Sequence, residues 1–151
     1  MTRVVLLDAG PLGLVTNPLR SPATIECARW LQSLLSARDR VIVPEIADYE
    51  VRRELLRANK TQGILRLDAL IALTEYLPIT TEAMRQAAQF WAQARQQGKP
   101  TAADSALDGD VILAAQAATL SATDTVIATT NVGHLSRFVP ARLWREIDRS
   151  P

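Results

Sequence analysis

Apolar residues follow two rhythms along this chain. Short runs built on Val, Ile and Leu occur at 3–8 (RVVLLD), 41–43 (VIV) and 125–130 (TVIATT). Each is closed by a polar residue, a proline or a glycine, which predicts buried strands. YLPIT (76–80) reads as a further strand. Between them the spacing changes to three and four. Ile25, Ala28, Leu31, Leu34 and Leu35 predict an amphipathic helix over 23–37. Helices are also predicted over 10–16, from Pro44 to about Asn59, over 61–74, over 81–97 with Gly98 as its C-cap, and over 108–120. TNPLRSP (16–22) and GKPTAADS (98–105) read as loops, and FVPARLWREI near the end as a last strand or helix.

Strands separated by helices imply parallel pairing, and so an α/β/α sandwich with a central parallel sheet. At 151 residues the chain suits one domain, 1–151, with one sizeable core. No apolar run is long enough to span a bilayer, and MTRVVLLD does not resemble a signal peptide. The expectation is a cytoplasmic protein.

Composition narrows the chemistry by exclusion. One cysteine, Cys27, and one histidine, His134, cannot build a structural zinc site. Cys27 sits in an apolar helical stretch and is expected as a buried thiol. A net charge of +1 does not mark a strongly basic nucleic-acid binder. The arginines are nevertheless clustered. Arg52, Arg53, Arg57 and Lys60 follow Glu50, and Arg137, Arg142, Arg145 and Arg149 lie near the end. Solvated helix faces are the first explanation of such clusters; guanidinium, the better bidentate partner for phosphate, tilts that only slightly. Trp30, Trp91 and Trp144 are expected in the core or at a subunit contact.

Three acids stand out. Asp8 ends the first strand, at the edge where open sheets gather ligands; it is also a natural helix N-cap. Glu50 flanks the apolar face of its helix, four residues after Ile46 and three after Ala47, or else pairs with Arg53 or Arg57. Asp110 projects from an almost wholly apolar helix for which Asp108 is the expected N-cap. A carboxylate there needs a cation or a distant arginine. Together the three suggest an oxygen cage for a divalent ion. Asp104, Asp108, Thr130 and Asn131 are candidates for its surroundings.

VVLLDAGPL, VPEIADYEVRREL, LDGDVILAAQA and VIATTNVGHLSRF, in that order, resemble the PIN domain, most closely the VapC-type toxins of bacterial toxin–antitoxin pairs. The resemblance implies a Mg²⁺- or Mn²⁺-dependent ribonuclease, often a homodimer, with an antitoxin partner. It carries the catalytic and metal-holding roles onto Asp8, Glu50 and Asp110. Arg52, Arg53 and Lys60 are then expected to steer the RNA backbone. The chain departs from the family after the last core strand, where many members place a fourth aspartate; TTNVGHL offers Asn131 and no acid. A catalytically inactive PIN-fold binding module is the alternative that this departure supports. A dehalogenase-like phosphatase fits less well because Gly10 stands where a second acid is needed, and a receiver-type switch because adjacent acids at the first strand and a late lysine are missing.

Overall fold

A computed structural model describes residues 2–97, 104–122 and 124–151, with the backbone alone for 104–106. Gly98, expected as a C-cap, and most of the expected 98–105 loop lie outside the described residues.

Strand β1 (Val4–Leu7) is fully buried at all four positions. It pairs in parallel with β2 (Arg40–Pro44) on one side and β4 (Thr125–Thr129) on the other. β3 (Glu75–Leu77) extends the sheet beyond β2, and β5 (Ala141–Leu143) beyond β4, giving a parallel order β3-β2-β1-β4-β5. Continuous apolar runs suit these central strands because both sheet faces are covered.

The helices are α1 (Ala9–Thr16), α2 (Pro22–Ser36), α3 (Glu45–Arg57), α4 (Thr61–Leu73), α5 (Thr81–Gln96) and α6 (Asp104–Ala118). Alternate strand residues feed two cores. Val5, Leu7, Val41, Val43 and Ala128 meet Leu12, Leu31, Leu34 and Leu67 on one face. Val4, Leu6, Ile42 and Ile127 meet Leu113, Ala114 and Leu135 on the other. The result is the expected three-layer α/β/α sandwich. Helix α3 reaches both cores, with Ile46 in one and Ala47 and Val51 in the other.

Several boundaries differ from expectation. α6 starts at Asp104, so Asp108 lies inside the helix and is not its N-cap, and Asp110 is not in its first turn. The sequence favoured Asp108 because aspartate is a common N-cap residue; helix contacts with α5 through Leu107, Val111 and Ala115 override that local signal. The third strand is Glu75–Leu77, shorter than 76–80. The C-terminal segment forms both a strand, β5, and a 3-10 turn, Trp144–Glu146. Trp144 packs against Trp30 with ring centroids 5.6 Å apart, and Trp30 Nε1 donates to the Ile147 carbonyl at 2.8 Å. Trp91 is 38% exposed on α5 and is not a core residue. Among the described residues, no helix is long and apolar enough to cross a membrane.

Candidate active site

The sheet's chain order reverses between β1 and β4: successive strands run outward from β1 through β2 to β3, then return to β4 on its other side. Such a reversal opens a crevice beyond the strand carboxyl ends. Asp8 stands there. Its backbone N–H donates to the Ala128 carbonyl at 3.0 Å, and its Oδ1 accepts from the Ala9 N–H at 2.7 Å. It is therefore both an N-cap for α1 and a rigid strand-end carboxylate. Its Oδ2 accepts from the buried Thr129 hydroxyl at 2.7 Å. Burial holds the Asp8 carboxyl above its ordinary range, against those two hydrogen bonds.

Glu50 is half-buried on α3. Burial and then the charge of Asp8 push its carboxyl upward; Arg53 opposes this from 4.0 Å, and Asp110 adds to it. Asp110, on α6, is pushed up by burial and by Asp8, with His134 and Arg137 pulling the other way. Glu50 and Asp110 thus both feel the charge of Asp8, although more than forty residues separate each from it in sequence. Gly109 makes close approach possible: a Cβ there would lie 2.9 Å from Glu50 Oε2. Gly10 does the same for the loop after β4, since its Cβ would meet Thr130 side-chain atoms at 2.6 Å.

Oxygen donors of this kind suit a hard divalent cation such as Mg²⁺ or Mn²⁺. Among the described residues, no three His, Cys, Asp or Glu side chains are already drawn together as a metal cage. Holding an ion would require the carboxylates to close on it, and the cation would relieve their mutual repulsion.

The other candidates are scattered. Thr130 rests against Gly10. Asn131 uses its Oδ1 to accept from the Gly133 N–H at 3.2 Å, as a turn residue does. Asp108 lines a groove between α5 and α6 with Met84, Trp91 and Ile112. Asp104's side chain lies outside the described residues. Arg52 is bound to Asp48 and Asp68 at 3.0 and 2.7 Å. Arg53 stacks over the Tyr49 ring at 5.0 Å, and Arg57 pairs with Glu54. Lys60, with Glu50, borders an apolar groove of about 680 Å³ walled by Ala9, Pro18, Leu19 and Leu55.

One residue near the acids was not singled out by sequence: Thr129, rather than Thr130, holds Asp8. His134, weighed from sequence as an ordinary surface or half-buried residue, acts on Asp110 and keeps a buried Nδ1 without a hydrogen-bond partner among the described residues. The buried run 126–129 could have pointed to Thr129, but only the pairing of Leu7 with Ala128 puts it beside Asp8.

No curated protein matches the sequence. Solved structures do match in fold. FitAcB from Neisseria gonorrhoeae aligns with a TM-score of 0.70 at 23% identity, covering 95% of this chain and 99% of that one. VapBC2 from Rickettsia felis, bound to a DNA fragment from their promoter, gives 0.70 at 13% identity over 93% and 98%. DNA-bound VapBC from Salmonella typhimurium gives 0.67 at 17% over 95% and 99%. At these identities the likeness is one of fold. The PIN domain model, however, matches residues 5–137 and takes in β1 with the adjoining Asp8, the helices bearing Glu50 and Asp110, and the loop after β4. The chain belongs to the PIN domain family.

Proposed function

We propose that this protein is a divalent-metal-dependent endoribonuclease, the toxin of a toxin–antitoxin pair. The observation that carries the reading is the gathering of three acids at the sheet's switch point: the charge of Asp8 raises the carboxyls of both Glu50 and Asp110, and Asp110 adds to the rise of Glu50. Half-buried carboxylates that repel one another gain most from a shared cation. Asp8, Glu50 and Asp110 would hold Mg²⁺ or Mn²⁺. When bound, the ion supplies an activated water and neutralises charge on the phosphate oxygens.

The chain's own residues do the rest. Thr129 and the Ala9 N–H orient Asp8, so that one acid is fixed before substrate arrives. Glu50 sits on a longer side chain with a raised carboxyl and is suited to accept a proton. Arg53 and Lys60 offer positive charge near Glu50 to meet the RNA backbone, with Arg52 alongside on α3, so binding weakens with salt. The apolar groove beside Glu50 offers an antitoxin segment a surface close enough to shut the site. Exposed Met84 and Trp91 on α5 support a homodimer contact. A cytoplasmic location follows from the same reading, because the RNA target is there.

The test is metal-dependent cleavage of RNA by the purified chain, with Asp8→Asn and Asp110→Asn folded but inactive. Cleavage that survives EDTA, or full activity in both variants, would overturn it. A second reading is an inactive PIN-fold module that binds RNA or protein. Asn131 in place of the fourth acid, and the lack of a ready cage among the described residues, favour it. Calorimetry separates the two: a module shows no saturable Mn²⁺ binding.

A further inference from the structure

Gln116 interrupts the apolar stretch of α6 and is only 1% exposed. Its side-chain amide joins three elements. Oε1 accepts from the Ile46 backbone N–H at 3.3 Å, and Nε2 donates to the Leu77 carbonyl at 2.8 Å. Ile46 is in the first turn of α3, where an N–H has no helical acceptor of its own. Leu77 is the last residue of β3. One glutamine therefore satisfies the buried Ile46 N–H, which would otherwise be costly, and the part-buried Leu77 carbonyl. Glu45 adds a tie at the same junction, its Oε1 accepting from the Ile79 N–H at 2.7 Å.

The placement matters for the acids. Ile46 lies about one helical turn before Glu50 on α3, and Gln116 lies on the helix that carries Asp110. Apolar contact between α3 and α6 is non-directional and leaves their offset soft. Hydrogen bonds have defined geometry and fix it. The geometry points to Gln116 as a positioning residue: it sets the offset of α3 against α6, and through it the spacing of Glu50 and Asp110 around a shared divalent cation. Gln116 touches neither ion nor substrate and acts through Ile46. The inference rests on the reading of the acids as metal holders.

Calorimetric titration with Mn²⁺ tests it, on the full chain as wild type, Gln116→Met and Leu34→Ala. Leu34 is a buried residue of α2 whose truncation loosens the opposite core without touching the junction. The expected result is about tenfold weaker Mn²⁺ binding in Gln116→Met, with wild-type affinity in Leu34→Ala even at an equal or lower Tm. Gln116→Asn, one methylene shorter and unable to span both bonds, replaces the Met variant if that one does not fold, with the same loss expected. Wild-type affinity in the Gln116 variants overturns the assignment. So does an equal loss in Leu34→Ala, because general loosening would then suffice. No saturable Mn²⁺ uptake by the wild type overturns the metal reading itself, and is seen before any variant is compared.

Discussion

The Thr129 hydroxyl donates to Asp8 Oδ2 at 2.7 Å, across 121 positions of sequence. This bond leaves Asp8 one fixed orientation at the end of β1. Partners that orient a metal-holding carboxylate commonly matter about 10–100-fold in affinity or activity. Thr129→Val keeps the shape and deletes the donor. It is expected to weaken Mn²⁺ binding and RNA cleavage by about that factor, with Thr129→Ser restoring most of both. Unchanged Mn²⁺ titrations would remove the orienting role.

Gly109→Ala should separate stability from activity. The new Cβ would stand 2.9 Å from Glu50 Oε2, the far end of a flexible side chain, so the glutamate yields. Replacing glycine inside a helix contributes about 1 kcal/mol of stability. The expected variant unfolds at the same or a higher temperature yet binds Mn²⁺ less tightly. A drop in Tm together with intact metal binding would contradict this.

The three raised carboxyls make the metal-free protein sensitive to pH. A carboxyl raised in the folded state holds its proton longer folded than unfolded. Between its ordinary and its raised pKa the folded chain therefore binds more protons, and stability falls as pH rises through that window. Asp110→Asn removes one such group. In EDTA at neutral pH this variant should melt above wild type and show a flatter fall of Tm with pH. Added Mn²⁺ should raise the wild-type Tm and leave the variant's almost unchanged.

Asp39 acts with the opposite sign. Its enclosed carboxylate accepts from Arg3 Nε at 3.0 Å and from the Ser150 N–H and hydroxyl at 2.9 and 2.5 Å. Burial pushes its pKa up, but these bonds outweigh burial and hold it below the ordinary range. Its contribution is present above the unfolded carboxylate pKa and is lost as pH falls through the lower folded value. Asp39→Asn should cost about 2–3 kcal/mol, a Tm drop of roughly 5–10 °C, and free the C-terminal segment for proteolysis.

Cys27 is fully buried, and burial pushes its thiol up to about 12. Each unit of upward shift removes about tenfold of the reactive thiolate at pH 8. A disulfide reagent should leave the native protein unlabelled and modify it at once in denaturant. Rapid native labelling would show that α2 opens readily.

Much of this architecture was legible before folding. The runs 4–7, 41–43 and 126–128 are apolar without alternation, and only strands covered on both faces tolerate that. In α2 the helix period held at Leu31 and Leu34, which are buried where the spacing put them, but Ala28 of the same expected face is exposed and Thr24 and Cys27 are buried instead. Boundaries failed where the local signal was weak. Asp108 and Gly109 look like a helix start, yet α6 begins at Asp104.

What the chain by itself determined was therefore local: the type of the central strands and of the helices, the strand-end position of Asp8, and the stranding of Asp110 in an apolar helix. Period and charge are properties of neighbours, and neighbours suffice to reveal them. Tertiary structure alone chose Thr129 as the partner of Asp8, turned Asp108 toward the α5–α6 groove, and set Gln116 between Ile46 and Leu77. Those outcomes depend on the register of β1 against β4 and the seating of α6 on α3. Contacts between distant residues set these, and no local window of sequence contains them.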